Sequence, residues 1–169
     1  EQVHILVGGL GLRVHDEDRF AMRILTNILG GQSGRLFIEL REKKSLAYSV
    51  SPMTFEGVEP CYVGTYIACA PTKREEAVGG MRRVLEQLAA RGPTPAEMKR
   101  AKEFYLARRA MDLQGDSALA SHFGLEFMYG VGVTEEEVAK RIERVTARVV
   151  QKLCARYFVE PNQVTAVVG

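Results

Sequence analysis

Residues 31–50 read GQSGRLFIELREKKSLAYSV, a run that passes from helix to strand around one corner. A short helix is predicted from Ser33, a capping residue type, to about Lys44. A strand is predicted to start at once, with Leu46, Tyr48 and Val50 on one face and Ala47, Ser49 and Ser51 on the other. Arg41 falls in the last helical turn and Tyr48 on the strand, seven residues further on. A fixed guanidinium and a phenol hydroxyl on the two sides of a corner could both reach one carbonyl oxygen of a bound chain. Plainer readings stand beside this one. Tyr48 shares its parity with Leu46 and Val50, so it reads equally as a core tyrosine with its hydroxyl satisfied at the edge. Arg41 lies among Glu39, Glu42, Lys43 and Lys44, where a surface ion pair is worth under ~1 kcal/mol.

Working outward from the corner, Gln2 to Leu10 alternates as a strand, with Val3, Ile5 and Val7 on one face and His4 and Leu6 on the other. Asp16, Glu17 and Asp18 put acids where a helix N-terminus favours them. Phe20, Ile24 and Ile28, with Ala21, Leu25 and Leu29, form the apolar face of the helix that follows, and Gly30-Gly31 stops it. Beyond the corner, Glu56-Gly57 reads as a turn into a second strand over 61–70, and so short a link joins antiparallel neighbours. Ala77, Val78, Met81, Val84, Leu85 and Leu88 then repeat at helical spacing. Thr94-Pro95-Ala96-Glu97 combines a cap, a first-position proline and a capping-box glutamate, opening a helix to about Leu113. Further helices are predicted over 117–129, from the second capping-box pattern at Thr134–Glu137, and over 146–158. Pro161-Asn162 reads as a turn, and 163–168 as a last strand. The order predicts one α+β domain over residues 1–169, a mostly antiparallel sheet with helices packed on one face.

At 169 residues with 46% apolar and 26% charged side chains, the chain is large enough to bury a core without staples. A formal charge of +2 is too small to argue for nucleic acid, and the pairs Arg82-Arg83 and Arg108-Arg109 alternate with acids as solvated helix faces do. No apolar run approaches the ~20 residues needed to cross a bilayer. The chain starts at Glu1 without Met and enters a strand directly, as a segment of something longer would. Cys61 and Cys69, eight residues apart in one strand, are separated by roughly 26 Å at ~3.3 Å per residue, too far for a disulfide. Cys154 falls on an apolar helical stripe as a buried thiol. A reducing compartment such as the cytoplasm is compatible with these free cysteines, and a periplasmic address stays open because the residues upstream of Glu1 are missing.

The chemistry available to the segment alone is thin. His4, His15 and His122 include no two a helical turn apart, so no H-x-x-E-H metal motif can be built and no metal ligands are assigned. His4 and His122 read as packed or capped residues and His15 as a loop residue. There is no G-x-S-x-G elbow. Gly8-Gly9-Leu10-Gly11 lacks the spacing and the following acid of a dinucleotide loop.

ILGGQSGRLFIELREKKSLAYSV closely resembles the signature of the zinc-free half of the pitrilysin/insulysin/mitochondrial-processing-peptidase family of zinc metallopeptidases. TARVVQKLCARYFVEPNQVTAVVG resembles the closing helix and strand of the same module, and TPAEMKRAKEFYLARRAMDLQGDSALASHFGLEFMYG its helical middle. The resemblance implies paired α+β modules arranged as a clamshell. Zinc is held by H-x-x-E-H in the catalytic half, and the C-terminal half, which this chain resembles, carries no cofactor of its own. It implies that Arg41 and Tyr48 correspond to an Arg/Tyr pair that positions the peptide and stabilises the tetrahedral intermediate. Gln32 replaces a usual glycine, Gly34 a serine, and Ser45 stands where glycine is common, which stiffens the corner. The implied partners are a zinc-binding N-terminal half or partner subunit and a peptide or unfolded polypeptide. The strand over 47–52 or that over 61–70 could offer a sheet edge to such a chain. A homodimer of the isolated segment is a further expectation. A catalytically silent assembly subunit and a peptide-binding module are the alternatives on the same fold.

Overall fold

Val3, Ile5 and Val7 alternate with more exposed residues to build the strand β1 (Val3–Leu10), and all three are buried. The computed structural model describes residues 2–159 and 163–169; the turn expected at Pro161-Asn162 lies outside them. α1 (Arg19–Leu29) buries Phe20, Ile24, Leu25, Ile28 and Leu29. It ends where Gly30 turns extended and Gly31 takes φ +73°, a backbone region that a Cβ penalises. A π-helical turn (Phe37–Glu42) follows, and then the strands β2 (Ser49–Phe55) and β3 (Tyr62–Cys69). Five α-helices come next: α2 (Arg74–Arg91), α3 (Pro95–Asp112), α4 (Asp116–Tyr129), α5 (Glu135–Arg144) and α6 (Ala147–Phe158). The strand β4 (Val164–Val168) is the last element.

The four strands form one sheet in the order β2-β3-β1-β4, with every neighbouring pair antiparallel. Register puts Ile67 opposite Ile5 and Val50, and Val167 opposite Ile5. Val3, Ile5, Val7, Val63, Ile67 and Cys69 thus share a face, and α1, α2 and α6 cover it. Each fully buried Leu or Ile of this layer contributes roughly 1.5–3 kcal/mol. The opposite face has no covering helix among the described residues, and Leu10, Phe55, Tyr62, Val164 and Val168 stand exposed on it. Gly8 and Gly64 pair across β1 and β3, and a Cβ on Gly8 would stand 2.5 Å from the Val63 carbonyl oxygen. The α+β class and the one-sided helix layer are as the sequence predicts.

Several local expectations are corrected. The helical turns begin at Arg35, and Ser33 offers its carbonyl, which accepts from Arg100 Nη2 at 3.1 Å, instead of a hydroxyl cap. β2 starts at Ser49 because Leu46 N–H still donates back to the Leu40 carbonyl (2.8 Å), which holds residues 45–47 in the corner. The connection after Phe55 is longer than a turn, since Val14 N–H reaches in to the Gly57 carbonyl (2.8 Å) and props it open. The Thr94/Glu97 capping box closes in both directions. At Thr134 only the hydroxyl half forms, because the Glu137 carboxylate accepts from Arg141 Nε (2.9 Å) instead. All three cysteines are free thiols, and burial pushes the Cys154 thiol up to about 12.

Candidate functional site

The corner after the π-helical turn is built from backbone hydrogen bonds. Lys43 N–H donates to the Ile38 carbonyl (3.0 Å), a five-residue step that widens the helix by one residue. Ser45 N–H returns to the Arg41 carbonyl (3.1 Å) and Tyr48 N–H joins the Ala68 carbonyl of β3 (2.9 Å). Lys73, at the start of α2, extends its Nζ to the Ser45 carbonyl (2.8 Å). Between these ties Ser45 adopts φ +50°, where a side chain costs about 1 kcal/mol or more relative to glycine. That is the physical meaning of the serine standing where glycine is common. Such outliers and π turns both concentrate at functional sites.

Both plain readings of the corner fail. Tyr48 is 61% exposed although Leu46 and Val50 of the same parity are buried. It lies just ahead of the outermost strand, where no further strand shelters it. Arg41 is exposed and makes no ion pair among the described residues. Its guanidinium lies 5.0 Å from the Phe37 ring centroid, a cation–π contact that restrains the fork without consuming its donors. The corner therefore presents a cation and a phenol, both open to solvent, on a backbone tied at four points. Sequence reasoning finds Arg41 and Tyr48, and the serine hints at the strain. Nothing in the sequence marks Lys73 as the clamp, because its partner is a main-chain oxygen 28 residues away.

Further along β2, a groove of about 860 Å³ runs past Ser51, Pro52, Met53 and Thr54. Four consecutive residues can line it only if it follows the strand's edge. The loop residues Gly30–Ser33 and Arg100 and Phe104 of α3 form its other wall. β3 is paired on both sides, so the edge expected of residues 61–70 does not exist, and β2 alone of the two offers one. Pro52 suits that place, since a proline lacks the ladder N–H.

The histidines do not converge. His4 is exposed on the open sheet face, where Nδ1 and the Tyr66 hydroxyl lie 2.7 Å apart, so of the packed and capped readings it takes the second. His15 is exposed in the loop before α1. His122 Nε2 sits 2.8 Å from Arg109 Nη2 and 3.0 Å from Glu126, inside an ionic cluster. Among the described residues no three His, Cys, Asp or Glu side chains are placed to hold a metal ion. The donor set therefore does not fit zinc.

Comparison with known proteins identifies the family of the fold. Residues 1–105 match the family model of the peptidase M16 inactive domain. An uncharacterised zinc protease of Streptomyces coelicolor is 34% identical over 148 residues, which are 86% of this chain and 32% of that protein. The beta subunit of the mitochondrial-processing peptidase of Caenorhabditis elegans is 26% identical over 165 residues, 90% of this chain and 35% of its own length. The chain thus spans about a third of the length of these relatives. The crystal structure of a peptidase M16 inactive domain from Pseudomonas fluorescens superposes with a TM-score of 0.88 at 21% identity, covering 98% of this chain and 40% of that one. The one-sided α+β sheet and these likenesses agree: the chain belongs to the peptidase M16 family, as its inactive domain.

Proposed function

We propose that this module is the closing half of a zinc endopeptidase acting on peptides or unfolded segments. The metal chemistry is supplied by a separate zinc-binding half, upstream in the same polypeptide or in a partner subunit, and this module alone is inactive. The observation that carries the reading is the corner itself, with Arg41 and Tyr48 both exposed and, among the described residues, neither spent on a protein acceptor.

The division of labour follows from charge. As a scissile carbonyl becomes tetrahedral, its oxygen turns negative, and a hydroxyl donor held there is worth most in the transition state. Tyr48 supplies that donor. Arg41 takes a neighbouring main-chain carbonyl and keeps the peptide in register, which lowers the cost of orientation. Because the donors arrive on a different module from the metal, full turnover depends on closure of the two. The remaining substrate lies extended along the free edge of β2, in the groove beside Ser51–Thr54, where main-chain hydrogen bonds are sequence-tolerant.

The test is Tyr48→Phe in the complete enzyme. Loss of one such donor lowers turnover ~10²–10³-fold, while the thermal midpoint stays put because the side chain is 61% exposed. Unchanged turnover removes the catalytic role and leaves a silent assembly module of the same fold. Arg41→Lys, which loses the fork but keeps the charge, is expected to raise KM more than it lowers kcat.

A further inference from the structure

α3 runs beside β2 in the same direction, and α1 lies against both in the opposite sense. Ties at the two ends fix this. At one end Gly30, just past α1, is so close to Pro52 that a Cβ on it would stand 2.8 Å from the proline Cδ. In the same loop the Ser33 carbonyl accepts from Arg100 of α3 (3.1 Å). At the other end Arg23 of α1 donates to the Tyr105 hydroxyl (2.8 Å) and to Glu56 (3.2 Å), the residue after β2. Residues 100–105 of α3 thus accompany residues 52–56. The groove is the gap between them, and Thr26 and Asn27 of α1 also line it.

On the helix side of the sheet β2 presents Pro52 and Thr54, whose ladder partners Thr65 and Val63 are buried. A chain added to the β2 edge sends every second side chain to that same side, where α3 meets it with two contrasting groups. Arg100 is the one charged residue among the described residues that line the groove. It makes no ion pair among them, and its hydrogen bond is the one to Ser33. Phe104, one helical turn on, is 56% exposed. Four residues of helix rise about 6 Å, and alternate residues of a strand stand about 6.6 Å apart. The spacings match, so Arg100 and Phe104 face residues i and i+2 of one extended peptide.

We propose, resting on the closing-half reading above, that Arg100 and Phe104 are the specificity wall for the substrate. They select an extended segment with an acidic side chain at one position and a large apolar one two positions further from the cleaved bond. A carboxylate fits the planar guanidinium fork, whereas a basic side chain would set like charges together with no counter-ion. β2 supplies the ruler. Arg100 stands at the Pro52 end, four residues beyond Tyr48, and Phe104 at the Thr54 end, six beyond it. At ~3.3 Å per residue the acid falls about four residues from the carbonyl that Tyr48 serves, and the apolar residue about six, on one side of it. The occupant is the substrate because corner and groove share one strand: a peptide held by Arg41 and Tyr48 runs straight along this edge. Main-chain pairing gives it affinity, and the alternate side chains give it identity.

The test uses the complete enzyme and unstructured fluorogenic peptides in which Glu, Gln or Lys is stepped along the chain, with Phe or Ser two residues further out. Mass spectrometry identifies the cleaved bond. Glu about four residues from that bond is expected to exceed Lys by roughly fivefold to tenfold in kcat/KM, through KM. Arg100→Glu reverses the order, and Phe104→Ser removes the preference for Phe. Arg100→Gln, which abolishes the order without reversing it, repeats the test should Arg100→Glu perturb α3. The order is a ratio within one variant, so a general loss of activity does not imitate it. Tyr48→Phe lowers the turnover of every peptide alike and leaves the order intact, which separates this wall from the catalytic role. Anisotropy of the same peptides on the complete enzyme stripped of zinc is expected to give the same order without any turnover. Equal affinity for Glu and Lys peptides overturns the proposal. So does an order that Arg100→Glu leaves unchanged, which assigns the groove to the rest of the polypeptide.

Discussion

α4 and α6 are helices of similar length, 14 and 12 residues, with opposite fates, although α4 is the more apolar of the two. α6 gathers Val150, Leu153, Cys154 and Phe158 on one stripe and packs it against α2, α1 and the sheet. α4 spreads Phe123, Leu125, Phe127 and Met128 around its axis and buries none of them. Apolar content thus does not fix burial. A stripe can seat on one neighbour, whereas apolar residues on every side need neighbours on every side. The first helix is held by removal of surface from water, the second by the Arg109–His122–Glu126–Glu135 cluster.

The contrast is sharpest at single side chains. Phe158→Ala in α6 is expected to cost about 3–5 kcal/mol of unfolding free energy, because it opens a cavity in a filled layer. Phe123→Ala in α4 should change it by less than ~1 kcal/mol in the monomer. Urea melts of the two variants check the pair, and equal costs would erase the distinction. Arg109→Leu attacks the polar mode of attachment. It leaves Glu126, Glu135 and His122 without their shared cation, at about 1–3 kcal/mol for the orphaned groups. The loss should appear as faster amide exchange in α4 while α6 remains protected.

A polar attachment in the well-packed region gives the next effect. Arg35 Nε and Nη2 reach the Glu97 carboxylate at 2.6 and 2.8 Å. Helped by the Thr94 cap, this pairing holds the carboxyl down from 4.5 to about 2. Since the folded value is the lower one, the contribution is complete above about pH 4.5 and is lost as pH falls toward 2. Stability measured across that window should fall less steeply in Glu97→Gln than in the parent chain. The smallest effect belongs to the corner. Ser45→Gly relieves the φ +50° residue and should stabilise by about 1 kcal/mol or slightly less, because glycine also frees the unfolded chain. A destabilised variant would mean that the strain is absent.

The elements with one strong period were readable. The alternation at Val3, Ile5 and Val7, the stripe of α1 and the capping boxes placed themselves within a residue or two, because each is a local rule. The start of β2 escapes the parity rule, since Leu46 N–H turns back to Leu40 instead of entering a ladder. Tyr48 looked like core by parity, and only its place at the sheet's outer edge exposes it. Of the two readings of His4, packed or capped, the hydrogen bond to Tyr66 favours the second, since which face of a strand is covered depends on where the helices settle. The groove beside β2 was invisible, because its walls come from α3 and the 30–33 loop, far apart in the chain.

By itself the sequence determined the α+β order and most of the helix starts and stops. These depend on side-chain spacing and backbone preference over a turn or two. Tertiary structure alone decided that β2 and not β3 is the free edge, that Lys73 clamps Ser45, and that α4 and one sheet face have no cover among the described residues. Each of these turns on which segments become neighbours, and that is settled by the packing of the whole chain.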